Sequence, residues 1–152
     1  MKLMRIEDEI QQKAFKSEGH KAQINILYTA NYLGVKQAAV FKPFGITLPQ
    51  FNVLRILRGQ HPTPATVNLL MERMLDKTSN VSRIMDKLVV KGLATRKQCP
   101  NDRRSVDILI TDAGLELLKK MDVAMEKQEI GLNNLTEKEA QELNRLLDKI
   151  RD

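Results

Sequence analysis

The sequence predicts a mainly α fold carrying one small β-hairpin, and three observations lead to it. The stretch from Asp76 to Thr111 changes periodicity partway along. In its first half Val81, Ile84, Met85 and Leu88 recur at i, i+3, i+4 and i+7, the spacing of one helix face. After Gly92 the pattern becomes that of a hairpin: a short run Leu93–Gln98, a polar loop Pro100–Arg104, and the alternating residues Val106, Ile108 and Ile110. Just upstream, Thr66 to Met74 reads as another short amphipathic helix (Val67, Leu70, Met71, Met74), and only Leu75, Asp76 and Lys77 separate it from the helix at Thr78–Lys91. Two short helices joined tightly and followed by a hairpin make a winged helix-turn-helix. This one is embedded between N- and C-terminal helices.

The flanking elements follow in order. Residues 1–20 are polar, with Leu3, Ile6, Ile10 and Ala14 at helix-like spacing. So thin an apolar stripe cannot bury itself alone and is expected to pack on a partner chain or fray. A longer helix is expected from Lys21 to about Phe41, with Ile24, Leu27, Asn31, Val35 and Ala38 along one side, until Lys42-Pro43-Phe44-Gly45 breaks it. The next helix has a full set of start signals. Thr47 is the N-cap, Gln50 completes a capping box, and Ile46 and Phe51 form the hydrophobic staple. Val53, Leu54 and Leu57 continue its buried side, and Gly59 is expected to end it before the two-proline turn Gln60–Ala65.

After the hairpin, Thr111 caps a helix expected to reach about Ile130, with Leu115, Leu118, Met121 and Met125 as its stripe and Gly131 as its C′ residue. A second capping box, Thr136 to Glu139, starts the last helix, which carries Leu143, Leu146, Leu147 and Ile150. With no repeat or flexible linker, residues 1–152 read as one domain. The winged core spans about 47–111, and dimerisation helices span about 1–41 and 112–152.

Composition narrows the function classes. Apolar residues make up 42% and charged residues 29%, the balance of a globular chain with a core. No run of about 18 apolar residues is present, so no membrane span is expected. The charged N-terminus does not resemble a secretory signal, and the single cysteine excludes an internal disulfide; a cytoplasmic setting is expected. No nucleophile–base pair, carboxylate pair or phosphate loop suggests an enzyme. His20 and His61 lie far apart without metal-ligand spacing, and no cofactor is expected. Tyr28, Tyr32, Phe41, Phe44 and Phe51 could line a cleft, but core packing is their default role.

The charge distribution is more telling than the net charge of +6. Between Arg73 and Arg104 lie nine of the 25 basic residues and three of the 19 acidic ones, which leaves sixteen of each elsewhere. All the excess positive charge therefore sits in the helix-hairpin unit, the footprint of a nucleic-acid surface. On a helical wheel Ser79, Arg83, Asp86 and Val90 fall opposite the apolar stripe, with Asn80 and Ser82 on the flanks. The first turns of such a helix reach base edges in a major groove, and Thr78, Ser79, Asn80, Ser82 and Arg83 are the candidates. Arg suits guanine and Asn suits adenine, although capping competes for Thr78, Ser79 and Asn80. Lys77, Lys87, Arg96 and Lys97 are candidates for phosphate. At the hairpin tip an arginine can enter the minor groove, and Asp102 makes sense as the carboxylate that fixes its direction.

These motifs resemble the MarR (multiple antibiotic resistance regulator) family of winged-helix regulators. That family's wing pattern, D-x-R followed by alternating apolar residues and [LI]-T-x-x-G, is matched by Asp102-Arg103-Arg104, Ile108, Ile110-Thr111 and Gly114. The T-x-x-Q start at Thr47–Gln50 and Lys91-Gly92-Leu93 match as well, and the likeness covers roughly residues 20–150. The resemblance implies a homodimer on a pseudo-palindromic double-stranded operator. Arg104 would be the minor-groove arginine, Asp102 its orienting carboxylate, and Arg103 a backbone contact. It also implies a repressor released by a small-molecule effector or by stress. Cys99, in the wing, is read as a bystander, although its basic neighbours could lower its pKa. The rival expectation is a winged-helix module for protein contact without specific DNA binding.

Overall fold

The computed structural model describes residues 4–99, 102–128 and 133–152, with the side chains of 99 and 102–104 outside the description. The chain forms two compact units, residues 1–36 and 37–152.

In the first unit, α1 (Ile6–Glu9) is a single turn. Polar contacts hold it to the start of α2 (Glu18–Phe41) more than burial does, since Ile6 is its only buried residue. Lys21 Nζ lies 2.6 Å from Glu7 Oε1, and Tyr28 Oη donates to Glu9 Oε2 at 2.5 Å. The Lys21 ammonium holds the Glu7 carboxyl below its usual range, and the Glu9 carboxylate pushes the Tyr28 phenol up. The expected stripe of α2 does not face a core: Leu27 is 64% exposed and Val35 62%.

The second unit contains the main core. The end of α2 contributes Val40 and Phe41, and the Phe41 ring lies 4.5 Å, centroid to centroid, from Phe51. A 3-10 turn (Lys42–Phe44) then closes on Gly45, whose φ of +65° belongs to the left-handed region. Helix α3 (Leu48–Gln60) begins with the expected capping box. Thr47 N donates to Gln50 Oε1 at 3.2 Å and Gln50 N donates to Thr47 Oγ1 at 3.4 Å, while Ile46 and Phe51 are both buried beside it. The expectation that Gly59 ends α3 is corrected. The helix runs through Gly59 to Gln60 and stops at His61, which turns extended because Pro62 follows it.

Helix α4 (Val67–Arg73) is capped by Thr66 and buries Leu70, while Met71 is 52% exposed. Half-buried Leu69, outside the expected stripe, packs against the core instead. Helix α5 (Val81–Val90) buries Val81, Met85 and Leu88 and stops where Gly92 takes φ +70°. Strands β1 (Ala94–Cys99) and β2 (Asp102–Ile110) pair antiparallel, from Ala94 opposite Ile110 to Gln98 opposite Val106. The base of this hairpin is pinned to the chain before α4. Ala65 N donates to Ile108 O at 2.8 Å, and Ile108 N returns a bond to Ala65 O at 2.9 Å.

Thr111 then caps α6 (Asp112–Lys127), accepting from Gly114 N at 3.1 Å while its hydroxyl donates to Gly92 O at 2.7 Å. The expected end near Ile130 and the C′ role of Gly131 lie outside the described residues. Arg58 on α3 pairs with Asp122 on α6 at 2.6 Å. Helix α7 (Glu137–Ile150) has its predicted capping box but buries none of its residues.

Two glycines test the packing in opposite directions. A Cβ on Gly114 would overlap the Leu93 carbonyl oxygen and sit 2.7 Å from Ile110 Cγ1. Gly114→Ala should therefore cost about 1–3 kcal/mol. A Cβ on Gly59 meets nothing within 4 Å, so Gly59→Ala should stabilise the protein by roughly 0.5–1 kcal/mol through helix propensity and a less flexible unfolded chain. Chemical denaturation of the two variants checks both signs.

Candidate nucleic-acid interface

The turn between α4 and α5 shows how the second helix is started. The Asp76 carboxylate accepts from Thr78 N at 2.9 Å and from Thr78 Oγ1 at 2.6 Å, and Ser79 N donates to the Asp76 carbonyl at 3.2 Å. The two bonds from Thr78, its hydroxyl first and its backbone N–H second, hold the Asp76 carboxyl below its usual range. Asn80 is the N-cap, its Oδ1 accepting from Arg83 N at 3.0 Å. From the other side Asn52 on α3 accepts from Leu75 N at 2.9 Å. The helix thus begins at Val81, three residues later than the sequence suggests. Thr78 and Ser79 precede it, and the Asn80 side-chain oxygen is engaged in capping. Three consecutive cap-forming residues compete here, and Asp76 decides the outcome by engaging the first of them.

Ser82, Arg83, Asp86 and Lys87 are exposed on α5, while Val81, Met85 and Leu88 face the core and Ile84 is half-buried. Beside them runs an open groove of about 400 Å³, lined by Ser79, Asn80, Arg83, Ile84 and Lys87 and, from the N-terminal turn of α3, by Thr47, Pro49 and Gln50.

The basic residues divide by what they touch. Arg96 Nη1 lies 3.0 Å from Asp86 Oδ1. The Lys77 ammonium donates to the Glu72 carbonyl and that of Lys91 to the Gly45 carbonyl. Among the described residues, Arg83, Lys87 and Lys97 form no ion pair or side-chain hydrogen bond, and all three are exposed. Arg83 and Lys87 line the groove beside α5 and Lys97 stands exposed on β1, and such cations can receive an anionic polymer. The tip residues Asp102, Arg103 and Arg104, and Cys99, sit on the strands, but their side chains lie outside the description. Sequence reasoning missed the Asp86–Arg96 pair, because periodicity carries no information about contacts between a helix and a strand ten residues away.

A core-locked second helix, an exposed basic face and a hairpin wing define the class of winged helix-turn-helix DNA-binding proteins. Residues 46–106 match the model of the MarR family. The transcriptional regulator MgrA of Staphylococcus aureus is 32% identical over 111 residues, covering 73% of this chain and 74% of MgrA. The transcriptional repressor IacR of Pseudomonas putida is 25% identical over 130 residues, covering 85% of this chain and 74% of IacR. A cysteine-to-serine mutant of MarR from E. coli, solved in complex with operator DNA, superposes with a TM-score of 0.68 at 26% identity over 85% of this chain and 95% of that one. The chain belongs to the MarR family: it is a DNA-binding transcriptional regulator and not an enzyme. No helix of the described residues is long and apolar enough to cross a membrane.

The turn chemistry gives two expected outcomes. Asn80→Ala should cost about 1 kcal/mol of stability through loss of the cap, read by urea denaturation. For Asp76, whose carboxyl is depressed in the folded state, the ionised form stabilises the turn above its unfolded pKa. The charge-dependent part of the difference between wild type and Asp76→Ala should therefore hold steady at neutral and mildly acidic pH. It should disappear as pH falls below the ordinary aspartate range, and melting curves across pH check this.

Proposed function

We propose that the protein is a homodimeric repressor on a pseudo-palindromic operator, with the exposed face of α5 in the major groove. The observation that carries this reading is the division of α5: Val81, Met85 and Leu88 are locked in the core while Ser82 and Arg83 stand exposed on its first turn. Arg83 reads a base, Ser82 serves a base or a phosphate, and the turn residues Thr78, Ser79 and Asn80 lie at the groove edge. Lys87 and Lys97 neutralise phosphates, with Lys77 beside the turn. At the wing tip Arg104 enters the minor groove, oriented by Asp102, and Arg103 serves the backbone.

Dimerisation is supported by apolar side chains that the single chain leaves uncovered: Leu27 and Val35 in the first unit, Leu146 and Ile150 on α7. A two-fold dimer presents two copies of α5 about one helical turn apart, which one recognition helix alone cannot do. The repressor sign is supported by the likeness to IacR. Release follows when an effector or stress signal favours a dimer whose two α5 helices no longer match the operator spacing.

Selection of bound sequences from a random duplex pool tests this. A palindrome with half-site centres about 10 base pairs apart is expected, and failure to enrich any motif would overturn the proposal. Within the enriched site, Arg83→Ala should cost roughly 1–3 kcal/mol at one position, whereas a uniform loss on all sequences would make Arg83 a phosphate contact. Arg104→Ala should weaken binding and relax an A·T preference flanking the major-groove contact.

A further inference from the structure

The Asp86–Arg96 pair has an unexpected placement for a DNA-binding surface. Asp86 lies on the exposed side of α5, one turn beyond Arg83, and its side chain is 66% exposed. A carboxylate there would face phosphate oxygens and weaken binding by repulsion. Arg96 reaches it from a strand whose geometry turns it inward. Arg96 stands directly opposite Ile108 in the hairpin, and directly opposed residues of an antiparallel pair project to the same face. Ile108 is fully buried and is the residue bonded in both directions to Ala65. Arg96 therefore starts from the core-facing side of the wing, at its pinned root, and its guanidinium crosses to α5. The next residue, Lys97, projects to the opposite face of the hairpin.

We infer that Arg96 and Asp86 are positioning residues for DNA binding: their ion pair fixes the root of the wing to the recognition helix. Wing and helix then meet the minor and major grooves in a single relative orientation. This rests on the operator reading above and assigns Arg96 a different role from the phosphate contact its charge suggests. The pair neutralises Asp86 where an unpaired carboxylate would oppose binding, and it joins the helix to the wing through their side chains. Its strength as a surface pair is modest, so its effect is felt in orientation more than in folding.

The sign of one substitution separates the two roles. If Arg96 contacts phosphate, removing the Asp86 charge frees the guanidinium and removes a repulsion, so Asp86→Ala binds more tightly. If the pair positions the wing, Asp86→Ala binds more weakly. The experiment measures operator affinity of wild type, Asp86→Ala, Arg96→Ala and the double variant over a series of salt concentrations, with melting curves to confirm folding. Each single variant should bind roughly three- to ten-fold more weakly, and the double variant no more weakly than either one. The slope of log affinity against log salt should not change. Tighter binding by Asp86→Ala, a slope reduced by about one in Arg96→Ala, additive losses, or unchanged affinity would each overturn the inference while leaving the operator reading intact. A wild-type chain that binds no duplex would overturn both.

Discussion

Burial of one stripe of α5 governs the rest of the molecule. Val81, Met85 and Leu88 are all but inaccessible to solvent, and a helix turns by about 100° per residue. Fixing those three side chains therefore fixes the direction of every other residue on the helix. Ser82, Arg83 and Lys87 face outward as a consequence of what the core requires. The stripe has its own support in Leu54 and Leu57 of α3 and in Leu70 of α4, which belong to the same core. Separating the two faces in this way lets the exposed residues vary without disturbing the buried ones that keep the helix in place.

The wing is held by a different kind of interaction. A two-stranded hairpin is marginal by itself, and here its root is secured by backbone bonds between Ile108 and Ala65 and by the junction at Thr111. Gly114 is required at that junction because α6 passes against the Leu93 carbonyl with no room for a side chain. The winged core is thus tied to α6, and Arg58 with Asp122 ties α6 to α3. A change that moves these helices has a physical route to the exposed face of α5.

Most of this was legible in the sequence because it depends on local rules. The capping boxes at Thr47 and Thr136, the α5 stripe, the alternation of Val106, Ile108 and Ile110, and the stop at Gly92 all follow from periodicity or from hydrogen bonds a few residues long. Where several local rules compete, the sequence was less decisive. Thr78, Ser79 and Asn80 can each cap a helix, and the choice of Asn80 depends on Asp76 engaging Thr78. Gly59 carries a stop signal that matters only where the backbone turns left-handed, and α3 continues through it. Met71 fits a helical stripe, yet it is exposed, because periodicity does not say how wide a face the neighbouring elements cover. Contacts distant in sequence, such as Arg96 with Asp86, are invisible to any periodic argument. The stripe of α2 shows a further boundary: periodicity shows that a face is apolar and is silent about which chain covers it.

The central claim is that the outward face of α5, presented twice by a dimer, reads the operator. The most direct measurement places a photo-crosslinking amino acid at Ser82, an exposed position beside Arg83, and maps where the operator duplex is captured. The account predicts two symmetric crosslinks in the major groove about one helical turn apart. Capture spread evenly along the duplex, or none in a chain that still binds, would contradict it.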